Sequence, residues 1–492
     1  MSKPCIYIST AIDYPSNRPH LGHALEKIQA DTLARYFRFQ KKEVYFSTGT
    51  DEHGLKIQKS AEKVKKTPQQ FIDEMSGYFK DLDESLNISY DDFIRTSESR
   101  HIKVVEEIIK KIYQKGDIYK GKYKGLYCVE CETYYLPKDT PDGKCPIHHL
   151  PLEQVEEETY FFKMSKYQEE ILKYIQRKPN FIIPENRKKE ILSRLSRPIQ
   201  DLSISRKNVE WGIPLPWDKK FTLFVWIDAL INYLSTLDYP KKKFKRFWLD
   251  QSTVYHIIGK DIIWHHSVIW SSLLLSAGLP LPKTIFVHGF ITVDGEKMSK
   301  SLGNIINPVE LVEKYSADVV RYFLLREISP FEDGDFSEDR LKERYNSDLA
   351  QGIGNLVSRI LALGEQYGKQ ITIQCSDINL ITKSWDDYNK QMEGFRFNDA
   401  LATIWNLISY CDKYISDTKP WEKTEEEKEF QKILGKLIYI LGNISLMLSP
   451  AMPKTSKKIL RFLKLQGISE QNWLSQKVSL KKQPPLFPKY VF

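Results

Sequence analysis

Cysteine is scarce in this sequence, at six in 492 residues. That is too few for a disulfide framework, and the spacing of three of them points to a metal in a reducing compartment. No secretory leader is legible either: "MSKPCIYIST" has neither a long apolar core nor a small-residue cleavage site. Long hydrophobic runs are few. The most apolar window, "LIYILGNISLMLSPAMP" (437–453), is broken by Asn443, two serines and two prolines. It reads as a buried bundle helix ending at Pro450, not as a membrane span. Internal repeats and low-complexity tracts are missing. Acidic residues nearly vanish toward the end, where 453–492 carry nine Lys/Arg against Glu470 alone. These absences exclude a secreted disulfide scaffold and a helical membrane protein, and they predict a cytoplasmic chain. The basic tail suits a polyanion such as tRNA, with a merely solvated tail as the alternative.

What is present is organised in blocks. The length allows two to four domains, and 73 basic residues against 64 acidic give a net charge of +9. Over 1–115, strand-like runs ("CIYIST", "EVYFSTG", "DDFIRT") alternate with helical patterns, which predicts an α/β fold with a parallel sheet. From 116 to 220 the texture turns to Tyr, Gly, Cys, Pro and charge, and reads as a domain inserted into the first. Strand-like runs resume over 221–290 with "FTLFVWIDA", "TVYHIIG" and "TIFVHGF", taken as the second half of the same sheet. A loop-bearing stretch covers 291–345. Amphipathic helical patterns over 346–492 then predict a bundle.

Two short stretches carry the chemistry. In "RPHLGHA" (18–24), His20 and His23 sit three apart, where a strand feeds the start of a helix. Free N–H groups and the helix dipole favour an anion there. A pair of packed histidines or a metal site is the alternative, although the glutamate of helical zinc hydrolases is missing. In "DGEKMSKSLGN" (294–304), Lys297 and Lys300 lie between a glycine-bearing turn and Gly303 and predict a mobile cationic loop.

His20-Leu21-Gly22-His23 and Lys297-Met298-Ser299-Lys300-Ser301 together resemble the two signature motifs of the class I aminoacyl-tRNA synthetases. The length leaves no room for the large editing insertion of the isoleucine, valine and leucine enzymes. "TAIDYPSNRPHLGHA", "TGTDEHG", "FVWIDALINYLS" and "IIGKDIIWHHS" are similar to the methionyl-tRNA synthetase family, along nearly the whole chain. The resemblance implies a Rossmann-like catalytic domain with an inserted zinc-binding domain, followed by a helical anticodon-binding domain. It implies that methionine is activated by ATP with Mg2+ and transferred to tRNA(Met). His20, His23, Lys297 and Lys300 would then be catalytic, the histidines at the phosphates and the lysines at the departing pyrophosphate. Gly22, Gly259, Asp261, His288, Gly289 and Lys300 would border ATP, with Gly22 leaving room for adenine. Asp51 would receive the α-ammonium of methionine. Ile12, Tyr14, Trp226, Ala229, Tyr233 and His266 would form the side-chain pocket, whose rings suit a thioether. Asp13 departs from the apolar or aromatic residue of many relatives.

Within the insert, Cys128, Cys131, Cys145 and His148 follow C-x2-C-x13-C-x2-H. Three thiolates and an imidazole make a closed tetrahedral set for one structural zinc, with His149 as the alternative imidazole. In the bundle, Asn355 and Arg359 are four apart on one helix face, and Trp421 follows Pro420 in a loop. They match positions that read the anticodon in the family, by stacking and base-edge hydrogen bonds. The ending "PPLFPKYVF", without the further dimerising domain of many relatives, leads to the expectation of a monomer. Three rivals are weaker. A cysteinyl enzyme would hold zinc in its amino-acid pocket, a binding-only relative should have lost a signature residue, and a zinc hydrolase would need an acid/base beside the histidines.

Overall fold

The computed structural model describes residues 4–128, 133–135, 140, 142–146, 149–207, 209–298, 304–423, 426–468 and 472–489. The chain forms two compact units, one of 1–30, 41–84 and 88–288, the other of 31–40, 85–87 and 289–492.

The first unit is built on β1 (Cys5–Thr10), β2 (Glu43–Thr50), β3 (Asp92–Arg95), β4 (Ile182–Ile183), β5 (Thr253–Gly259) and β6 (Thr284–His288). Their spatial order is β3-β2-β1-β5-β6-β4, and every neighbouring pair is parallel. All six residues of β1 are buried. This explains its continuous apolar reading, since a parallel sheet is covered on both faces. The helix Ser99–Gln114 buries Val104, Val105, Ile108, Ile109 and Ile112 in the core that also holds Tyr7, Val254 and Ile285. Succession reverses direction between β1 and β5, so a crevice opens at the carboxyl ends of those strands. There α1 (Leu21–Phe39) begins.

Within 116–220, Ile118–Cys128 pairs antiparallel along its length with Glu153–Phe162, flanked by Thr133–Tyr135 and Leu202–Ser203. Two sequence expectations are corrected here. The insertion is not continuous, because β4 lies inside that span and pairs with β6 at the edge of the parallel sheet. A two-residue strand leaves no periodicity to read. "FTLFVWIDA" is not a strand of that sheet either. Its strand, Asp218–Leu223, joins a small antiparallel sheet, and Val225–Leu230 is helical. Short apolar runs do not distinguish strand from buried helix.

The second unit is mainly helical, with Ala317–Glu327, Asn355–Tyr367, Ile378–Glu393, Phe397–Thr418, Glu427–Leu448 and Pro453–Phe462. Glu427–Leu448 is buried on nearly all sides, which accounts for the apolar window. Among the described residues no helix is long and apolar enough to cross a membrane. Arg321, fully buried, ion-pairs with Asp31 at 2.7 Å. Its guanidinium also donates to the carbonyls of Ala451 (2.8 Å), Pro450 (2.9 Å) and Leu86 (3.3 Å).

Candidate active site

The crevice is furnished by residues that immediately follow the parallel strands. Ile12, Asp13 and Tyr14 follow β1, Asp51 follows β2, and Asp261 follows β5, while Gly259 and His288 end their strands. Asp13 bridges to Thr50, its N–H donating to Gly49 O at 2.9 Å and its carbonyl accepting from Asp51 N–H at 2.8 Å. This pairing sets Ile12–Tyr14 beside Asp51.

His20 precedes α1 and caps it: its Nδ1 accepts the Gly22 N–H at 3.1 Å. His23 Nδ1 in turn accepts the His20 N–H at 3.0 Å. With both Nδ1 atoms accepting, both neutral imidazoles carry their proton on Nε2 and keep one ring donor there. The rings lie 3.9 Å apart. Burial, and then their mutual proximity for His20 and the Lys27 charge for His23, pushes both down to about 3. Gly22 is required by the cap itself, because a Cβ there would stand 2.9 Å from His20 Cε1. A Cβ on Gly259 would stand 2.8 Å from Asp261 Oδ1 and 3.8 Å from the His288 ring. His288 Nε2 lies 3.0 Å from Glu26 Oε2 on α1.

The aromatic wall is fixed by buried hydrogen bonds. His266 donates from Nδ1 to Ile262 O at 3.0 Å, leaving Nε2 to accept the Tyr233 hydroxyl at 2.6 Å. Tyr233 also packs 4.1 Å from His256, and Trp226 stacks 3.9 Å from His265. Tyr14 donates to His53 O at 3.0 Å. Ala229 and Trp226 share the helix Val225–Leu230 with Asp228, whose carboxylate takes His53 Nδ1 and His101 Nε2, each at 2.6 Å. Burial opposes the charge on Asp228, yet the two histidines hold it at about 2. Sequence reasoning assigned no role to Asp228, His53, His101, Glu26 or Lys27. An acid inside the apolar run "FVWIDAL" was the available signal, since a buried charge needs a partner.

These buried neutral histidines predict acid sensitivity. His20, His23 and His265 sit at about 3 and His266 at about 4, burial being the main cause. Below about pH 6.5 the unfolded chain binds protons that the folded chain refuses, so stability falls with pH. The loss is at most about 1.4 kcal/mol per histidine per pH unit. Urea midpoints at about pH 7 and about pH 5 test this, and equal midpoints would contradict it.

The family described as "tRNA synthetases class I (M)" matches residues 6–154 and 149–361, and "Anticodon-binding domain of tRNA ligase" matches 380–488. A methionine–tRNA ligase of Caldanaerobacter subterraneus subsp. tengcongensis is 41% identical over 98% of this chain and 77% of that protein. One from Thermotoga maritima is 42% identical over 92% and 74%. The solved Mycobacterium tuberculosis methionyl-tRNA synthetase in complex with methionyl-adenylate superposes with a TM-score of 0.93 at 34% identity, covering 99% of this chain and all of that one. The chain belongs to the class I methionyl-tRNA synthetase family.

The family's remaining expected residues fall elsewhere. Gly289 opens the last segment of the second unit, and a Cβ there would stand 2.1 Å from Glu332 O. Lys297 is expected in a mobile loop. It lies instead on a strand, Glu296–Lys297, of a tight hairpin turned by Asp294 and Gly295, both at positive φ. Lys300 lies outside the described residues. So do Cys131 and His148, while Cys128 and Cys145 are buried. Among the described residues no group of three metal-ligand side chains forms. In the helical unit Asn355 is exposed, Arg359 pairs with Asp412 at 3.0 Å, and Trp421 is 46% exposed on a short turn. Trp421 is therefore not a core anchor.

Proposed function

We propose that this chain is a methionine–tRNA ligase whose signature histidines act as neutral donors. A methionine carboxylate oxygen attacks the α-phosphorus of ATP, the bond to the β-phosphate breaks, and pyrophosphate leaves. A ribose hydroxyl at the 3′ end of tRNA(Met) then attacks the methionyl carbonyl, and AMP leaves. The observation carrying this reading is the pair of Nε2–H donors left at the start of α1 by the two Nδ1 acceptances. A neutral donor keeps its proton while charge builds on phosphoryl oxygens, so the stabilisation needs no reorganisation. Asp51 takes the α-ammonium, while Ile12, Tyr14, Trp226, Ala229, Tyr233 and His266 take the thioether side chain. Gly22, Gly259, Asp261, His288 and Gly289 border the nucleotide. Lys297 and Lys300 receive the pyrophosphate charge by their match to the family motif. Mg2+ bound with ATP would offset the triphosphate charge.

Cys128, Cys131, Cys145 and His148 would hold one zinc. The donor set supports this, as does the burial of Cys128 and Cys145. Zinc would supply folding energy there and no chemistry. Metal analysis is expected to find about one zinc per chain. Unchanged zinc content in Cys145→Ser would refute the ligand set.

The division of labour follows the sequence blocks: catalysis in 1–115 and 221–290, the insert in 116–220 apart from β4, stem contact in 291–345, anticodon reading in 346–492. Trp421→Ala is expected to spare methionine activation and to weaken tRNA binding about 5- to 150-fold, the worth of one stacked base. Charging of tRNAs with matched and altered anticodons checks it. Normal discrimination by a destabilised variant would make Trp421 structural. The function itself is tested by ATP–pyrophosphate exchange across the twenty amino acids. Methionine is expected to support it without tRNA; exchange with cysteine or leucine and not methionine would overturn the reading.

A further inference from the structure

Beside the His20–His23 cradle sits a carboxylate that ought to obstruct it. Asp13 Oδ1 stands 3.9 Å from His23 Nε2, the ring nitrogen that carries the proton. An anion so placed repels a triphosphate and competes for that proton. Its backbone is pinned by the bridge to Thr50 and by hydrogen bonds to Gly49 and Asp51, so it has no room to withdraw.

The counter-charge comes from α1. Lys27, one helical turn beyond His23, is 1% exposed. Its Nζ lies 2.8 Å from the other Asp13 oxygen, Oδ2, 2.8 Å from Thr48 Oγ1 and 3.5 Å from Asp83 Oδ1. Thus the ammonium grips Asp13 on the side away from His23, at a distance shorter by more than an ångström. A second carboxylate, Glu26 beside Lys27, has its Oε2 3.0 Å from His288 Nε2. Burying a lysine this completely is costly unless it is paired.

We propose that Lys27 is a positioning residue for the activation step, cancelling and drawing back the Asp13 carboxylate so that His23 can offer its Nε2–H to the ATP phosphates. The proposal rests on the ligase reading above. Lys27 acts through Asp13 and touches no substrate. Its loss therefore selects against the anionic substrate, and neutralising Asp13 removes the need for it.

The test is a double-mutant cycle read in pyrophosphate exchange. Lys27→Met is expected to raise the KM for ATP at least about tenfold while the KM for methionine stays within about twofold. Adding Asp13→Asn is expected to bring the ATP KM back to within about threefold of the parent value. Equal changes in both KM values, or a double variant as impaired toward ATP as the single one, would overturn the proposal. Should Lys27→Met alone not fold, the folded double variant carries the test. Its ATP KM near the parent value supports the proposal, and a tenfold higher one rejects it. If the parent chain shows no methionine-dependent exchange, the ligase reading falls instead. Direct titration with Mg2+–ATP then decides, with weaker binding by Lys27→Met and recovery by Asp13→Asn expected, and equal binding by all three chains counting against it.

Discussion

His23→Ala is expected to slow methionyl-adenylate formation by about 10²- to 10³-fold, the usual effect of removing one preorganised donor to developing negative charge. His23 keeps an Nε2–H donor because its Nδ1 is committed to accepting the His20 N–H. Alanine therefore removes a donor and also frees the backbone group that sets the start of α1. His23→Gln separates the two effects, since its amide places an N–H near the lost Nε2–H and should recover part of the rate. Methionine binding should change little, because the side-chain pocket proposed above is held by hydrogen bonds of Tyr233, His266 and Tyr14 instead. Single-turnover adenylate formation is the decisive measurement. A rate within about twofold of the parent value would remove His23 from the chemistry.

Arg321→Ala should destabilise the helical unit by about 2–4 kcal/mol, because buried carbonyls lose their donors, each such unsatisfied group costing about 1–3 kcal/mol, and a buried ion pair is broken. Asp31 would keep Arg35, whose Nε lies 2.7 Å away. The carbonyls of Leu86, Pro450 and Ala451 would all lose donors. Lysine cannot substitute, because one ammonium does not reproduce the planar fork that reaches several segments together. Urea unfolding followed by the circular dichroism of the helices should show a lower midpoint for both Arg321→Ala and Arg321→Lys. A loss below about 1 kcal/mol would mean that the buried carbonyls find water or new donors.

Local patterns carried the parts of the fold that local patterns define. "CIYIST", "EVYFSTG" and "TVYHIIG" were legible because a parallel strand buried on both faces needs a continuous apolar run. β4 was not legible, since its two residues owe their place to β6 and not to anything in "NFIIPENR". The Trp226 helix was misread because "FTLFVWIDA" is apolar throughout and holds a strand end and a helix start side by side. At the site, His20 and His23 were readable as a motif, whereas their tautomers were not. Those follow from two backbone N–H groups whose direction only the folded loop decides. The pairing of Asp13 with Lys27 was hidden for a similar reason. Fourteen positions of loop and helix separate them, and nothing in the spacing announces that they meet.

The adjacency of β1 and β5 also governs when this site comes into being. Thr10 pairs with Ile257, although about 250 residues of chain lie between them. At about 5–20 residues per second, a ribosome takes roughly 12–50 s to make that interval. Throughout it the edge of β1 that β5 will cover waits without its partner, while β2 and β3 are already available on the other side. The crevice cannot exist until the second half-sheet has been synthesised, so a nascent chain stalled before β5 has both signature histidines and no place to use them.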